Sequence, residues 1–191
     1  MIMRFTLGLL VAVSPVTACL HATADHSPRS QAYKVYSNAA YGYSFSYPAT
    51  WQEQEDHGAS AFGPVGPRIG LAPVVITVTN PAPSSTAGVY ASVIRRAPAV
   101  TTLLQDAHAM LLVGAAPVGT AVAGRRRIGG MLYHTESVTV RLGPALQKEV
   151  AYATVRHGTA YIFISTVGQG ISTTASDTAA IATIINSIKV R

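Results

Sequence analysis

Residues 41–51 read YGYSFSYPATW, and they hold three of the chain's nine tyrosines, one of its four phenylalanines and its single tryptophan. Tyr43, Phe45 and Tyr47 alternate with Ser44 and Ser46, the period of two that puts one kind of side chain on each face of a strand. Gly42 supplies a turn before the strand, and Pro48 ends it because proline has no N–H to give to a ladder. Trp51 follows closely enough to fold back over the strand end. Alternating rings each bury a large area, so the stretch is expected to open a packed domain rather than to line an aromatic cleft. Tyr41 and Trp51 are the rings expected to reach solvent.

Towards the N-terminus, residues 20–32 (LHATADHSPRSQA) are polar and aperiodic, the pattern of a tether. Before them, Arg4 is the sole charge, Phe5 to Val13 is an apolar run, and Val16-Thr17-Ala18-Cys19 closes it with small residues. A run this short does not span a bilayer; with its basic start it has the form of a signal peptide over residues 1–19. Two cleavage sites compete. Val16-Thr17-Ala18-Cys19 resembles a bacterial lipobox, in which Cys19 becomes the lipid-bearing first residue. Ala22-Thr23-Ala24 fits the small-x-small rule and would release a soluble protein starting at Asp25. Cys19 is the only cysteine, so no intramolecular disulfide can form. Either cleavage places the protein outside the cytoplasm, in the periplasm or secreted if cut after Ala24.

Towards the C-terminus, Gln52 to His57 reads as an exposed strand or loop, Val74 to Thr79 as a buried strand, and Val89 to Arg96 as another. Thr102-x-x-Gln105 resembles a capping box, and Val100, Leu103, Leu104, Ala107 and Leu111 recur at helical spacing, which predicts a helix capped near Gly114. Four strands follow, at Val118–Ile128, Met131–Leu142, Leu146–Arg156 and Thr159–Val167. Gly129-Gly130, Gly143-Pro144 and His157-Gly158 are the tight turns between them. A last helix starts near Ser176-Asp177 and carries Ile181, Ile184, Ile185 and Ile188 as one stripe. Strands in runs with inserted helices argue an α+β domain with a mainly antiparallel sheet. Tyr161, Phe163 and Val167 alternate with Ile162 and Ile164, so that strand is apolar on both faces. A three-layer α/β/α sandwich over residues 33–191 is the architecture expected.

The order of these features resembles the PsbP-like family, and specifically its branch of bacterial exported lipoproteins. YGYSFSYPATW is similar to that family's opening strand, which ends in Y-P-x-x-W. GTAYIFISTV, followed by a polar loop and AAIATIINSIKV, is similar to its last hairpin strand and docking helix. The resemblance covers most of residues 36–190; between residues 64 and 99 it rests on element type. It implies a central antiparallel sheet between helices. Photosystem subunits, bacterial exported lipoproteins and a Ran-binding import factor share that fold. No catalytic motif comes with it, and fold alone does not fix function.

Lys and Arg number 14 against 8 Asp and Glu, giving +6, so an anionic partner is favoured. Arg125, Arg126 and Arg127 are the candidate anionic-surface patch. Three consecutive strand residues cannot share a face, which makes them a poor groove reader, and no nucleic-acid partner is expected of an exported chain. Arg95-Arg96 is a second basic pair. For hydrolysis, Gly58-Ala59-Ser60-Ala61-Phe62 lacks the second glycine of a nucleophile elbow. Glu53, Glu55 and Asp56 crowd one segment; Glu136 and Glu149 fall on neighbouring strands, as charges on a solvated edge do. For a metal, His134 and Glu136 lie two apart on one strand face, with His157 in the next hairpin turn as a third candidate ligand. Against this stands the simpler reading of polar residues on an exposed face.

The function expected is a non-catalytic accessory or binding role in the cell envelope, without a cofactor. Attachment to the membrane through Cys19 and an envelope protein as partner are the expectations that go with it. One alternative is a metal-dependent or small-ligand enzyme centred on His134, Glu136 and His157. Another is a chaperone-like module that holds a protein on a sheet face or edge.

Overall fold

Strand β1 (Tyr33–Asn38) turns back through Gly42, which takes a φ of 68°, into β2 (Tyr43–Pro48). The alternating stretch is thus a strand, and all three of its rings are buried. Trp51 is buried with them at 5% exposure, so it closes the core instead of reaching solvent; Tyr41 is half-buried. The other edge of β2 pairs with β10 (Lys189–Val190), matching Lys189 to Ser44 and Val190 to Tyr43. These three strands form a sheet of their own, β1-β2-β10. The computed structural model describes residues 31–55, 74–95, 103, 116–169 and 175–191.

The larger sheet has seven strands: β3 (Gln52–Glu55), β4 (Val74–Thr79), β5 (Gly88–Arg95), β6 (Ala116–Ile128), β7 (Met131–Leu142), β8 (Ala145–Arg156) and β9 (Thr159–Gln169). Their order is β3-β4-β5-β9-β8-β7-β6, and each neighbouring pair is antiparallel. The last four strands form a meander with two-residue turns at the three expected places. In the β6–β7 turn Gly129 and Gly130 both take positive φ, 55° and 84°. His157 and Gly158 do the same between β8 and β9, at 49° and 73°. Paired positive φ is what the tightest hairpin turns need, because it matches the right-handed twist of the strands.

Both faces of the centre of this sheet are buried. Tyr133, Tyr152, Tyr161 and Phe163 project from one face into a core shared with β2, Trp51 and helix α1 (Ala175–Asn186). Edge-to-face contacts join Tyr43 and Tyr133 to Phe163, with ring centres 5.8 and 6.3 Å apart. Ala180, Ile181, Ile184 and Ile185 bring the expected apolar stripe of α1 onto this core, and Ile188 is buried just beyond the helix. The helix packs on β2, β9 and β5. On the opposite face Val138, Val140, Ala151, Ala153, Ala160, Ile162 and Ile164 form a second core, joined by Leu103. Leu103 has helical backbone and a fully buried side chain.

The described architecture is therefore mostly antiparallel sheet, with one helix described along its length. Helices on both faces, as the three-layer sandwich requires, are described on one face only. The predicted helix over Val100–Leu111 lies, apart from Leu103, outside the described residues. So do the leader with Cys19, residues 20–30 of the tether, the segment from Gly58 to Phe62, and Arg96.

Candidate functional site

The arginine run lies on β6, an edge strand, and the ladder divides it. Arg126 is opposite Tyr133, on the face that carries α1, and its guanidinium donates to Asn186 Oδ1 at 2.8 Å, at the helix C-terminus. Arg125 and Arg127 are opposite His134 and Leu132, on the other face. All three are exposed. The run is consequently two patches back to back.

The metal candidates separate in a similar way. His134 and Glu136 share a face of β7 and are half-buried. His134 is opposite Ala153 of β8, whereas His157 lies four positions further on, about 13 Å at roughly 3.3 Å per residue. His157 is exposed in its turn. The structure joins the first two residues and leaves the third apart. Among the described residues no three His, Cys, Asp or Glu side chains converge.

Glu149 departs most from the sequence reading. It was expected on a solvated edge, yet it is buried at 6% exposure, with Gln147 beside it at 7%. Its ladder partners are Val138 and Thr166, and Glu136 is its diagonal neighbour across β7 and β8. Burial removes water from the carboxylate and pushes its pKa up to about 7. The physical reason is the second core: the face that carries Val138 and Val140 is packed at this level, so the residues of β8 on that face are buried whether polar or not. Tyr90 of β5, on the same face, is also raised by burial, and the Glu149 charge adds to this.

Three further polar contacts are structural. Asp177, buried at the start of α1, accepts hydrogen bonds from Asn80 Nδ2 at 2.6 Å and Ser85 Oγ at 3.0 Å. It thereby ties the helix to the β4–β5 connection. Nothing in the spacing of these three residues announced that contact; only the helix-start position of Asp177 was legible. Tyr47 donates to Glu53, and burial, with this contact second, pushes the phenol up to about 12. Tyr161 Oη donates to the Tyr41 carbonyl at 2.9 Å and bolts the small sheet to the large one.

The described residues offer an extended exposed surface. β6 is exposed along nearly its whole length, from Ala116 to Arg127 with Ala121 half-buried. A register shift between Val118 and Val122 interrupts its ladder. Long edge strands present unpaired backbone groups to a partner, and bulges and charges moderate that tendency.

No protein-family model and no curated protein sequence matches the chain. Among solved structures it is similar to cyanobacterial PsbP (CyanoP) from Synechocystis sp. PCC 6803, at a TM-score of 0.56 and 16% identity. That match covers 93% of this chain and all of the other. It is also similar to a protein of Bacteroides thetaiotaomicron, at a TM-score of 0.51 and 16% identity, covering 83% of this chain and 48% of that one. A weaker match, at a TM-score of 0.47 and 15% identity, is LpqN of Mycobacterium tuberculosis, involved in cell envelope biogenesis; it covers 86% of this chain and 87% of that one. At such identities the likeness is one of fold, and the fold is PsbP-like.

Proposed function

We propose that this chain, built on a PsbP-like fold, is an exported and lipid-anchored bacterial envelope protein that binds a partner without catalysing a reaction. The observation that carries the address is the leader: a basic start, the apolar run Phe5–Val13, and Val16-Thr17-Ala18-Cys19 with the chain's only thiol. Two acyl chains on Cys19 suffice for stable anchoring. The exposed edge strand β6 supports a binding role, since it is the longest described strand and lies at one edge of the large sheet. The same edge favours a second reading, a chaperone-like module that receives an extended protein segment. In this proposal the helix read around Val100–Leu111 supplies the third layer, with Leu103 as its buried contact.

Mass spectrometry of the N-terminal peptide from the native protein tests the address. An acylated Cys19 as first residue is the expected result; an unmodified N-terminus at Asp25 would overturn the anchor. Metal analysis of the purified protein tests the role. Stoichiometric metal that disappears with His134→Ala would replace the binding reading with the enzymatic one.

A further inference from the structure

Helix α1 and the small sheet cover only part of the face on which they lie. Helix α1 packs on β2, β5 and β9, and at the far end of β6, β7 and β8 the described residues of this face are exposed or half-exposed. The burial alternation shows it. On β7, Val138 and Val140 are buried against the second core, while Ser137 and Thr139 are half-exposed and Arg141 is exposed. On β8, Lys148 is exposed between buried Gln147 and Glu149. Ladder partners share a face, so Lys148 stands beside Thr139, and Val118 and Val122 of β6 stand beside Thr139 and Ser137. Val122 is 65% exposed and Val118 39%. Neither acid of these strands is on this side: Glu136 and Glu149 face the second core.

We infer that this open face docks on an anionic lipid surface. Two exposed valines, two cations and a row of hydroxyls on one sheet face match its chemistry. The valines enter the headgroup–acyl boundary, and Arg141, Lys148 and the hydroxyls meet headgroup phosphates. A soluble polyanion would use the cations and leave the valines in water. A second copy of this +6 chain would bring like charges together on this face. The inference deepens the proposed function, resting on its envelope address for the nearness of a membrane. It does not need the acyl anchor.

The test uses the lone thiol. The full chain carrying Cys19→Ser and Val122→Cys takes one environment-sensitive dye on the introduced cysteine, with no acyl chain present. Vesicles with about a third phosphatidylglycerol are expected to shift its emission to the blue, and phosphatidylcholine vesicles are not. Adding Arg141→Gln and Lys148→Gln is expected to raise the half-maximal lipid concentration roughly 30-fold, at about fivefold per cation. Arg125→Gln with Arg127→Gln makes the same charge change on the other face and is expected to shift it less than about threefold. The dye placed through Leu132→Cys, on that other face, is expected to stay unshifted. No shift at position 122, an equal shift with neutral vesicles, or a shift with polyphosphate but not with vesicles would each overturn the inference. Because the measured chain carries no lipid, a failure here is separate from a failure of acylation at Cys19.

Discussion

The burial of Glu149 gives this domain a pH dependence that can be worked through in sign and size. In the unfolded chain its carboxyl titrates at the ordinary 4.5; in the folded chain burial holds it near 7. Below pH 4.5 both states carry the proton and the side chain favours neither. Between 4.5 and 7 the unfolded chain releases the proton and the folded chain keeps it, so stability falls as pH rises. Above about 7 both are charged and the loss is complete. At about 1.4 kcal/mol for each tenfold change in proton affinity, the total is about 3 kcal/mol. Glu149→Gln keeps the shape and removes the titration. Urea unfolding of both chains from pH 4.5 to 8.5 is the measurement. The variant is expected to match the wild type near pH 4.5 and to exceed it by up to about 3 kcal/mol at pH 8. Unfolding curves that keep a constant separation across this range would refute the reasoning, since Glu149 would then titrate alike in both states.

Two further outcomes are expected. Asp177→Ala leaves Asn80 Nδ2 and Ser85 Oγ without their acceptor and loosens α1 from the β4–β5 connection. A loss of about 2 kcal/mol in chemical denaturation is expected, as for a charged hydrogen-bonding group. At Gly129 an added Cβ would sit 2.6 Å from the Ile188 carbonyl oxygen at a φ of 55°, whereas at Gly130 it would meet open space. Gly129→Ala should therefore cost about 2 to 3 kcal/mol and Gly130→Ala about 1, read from the same denaturation curves.

Much of the β architecture was legible because it is written in short-range signals. The turns at residues 129–130, 143–144 and 157–158 stand between long apolar-rich runs, and hairpins follow from such punctuation. Pairing over distance was not legible. Nothing local says that β5 lies against β9, although Val89 meets Ser165 there. β1 and β10 escaped for the same reason: in β1 only Tyr36 is buried, and β10 is two residues long. The division of Arg125–Arg127 between faces could be read from strand period alone. The burial of Gln147 and Glu149 could not. Their alternation with Lys148 looks like that of a solvated strand until the cover on the second face is known. His134 and Glu136 share a face as their spacing requires; the distance to His157 depends on which residue of β8 each β7 residue meets.

The pairing of β10 with β2 joins Val190 to Tyr43, so β2 takes one ladder partner from the strand just before it and the other from beyond helix α1. The β6–β9 meander needs only neighbours in sequence and can form early, as local pairings do. The small sheet gains its third strand only when the segment after α1 returns to β2, where Arg191 N donates to the Gly42 carbonyl. Closing the aromatic core at this edge therefore waits on a pairing distant in sequence.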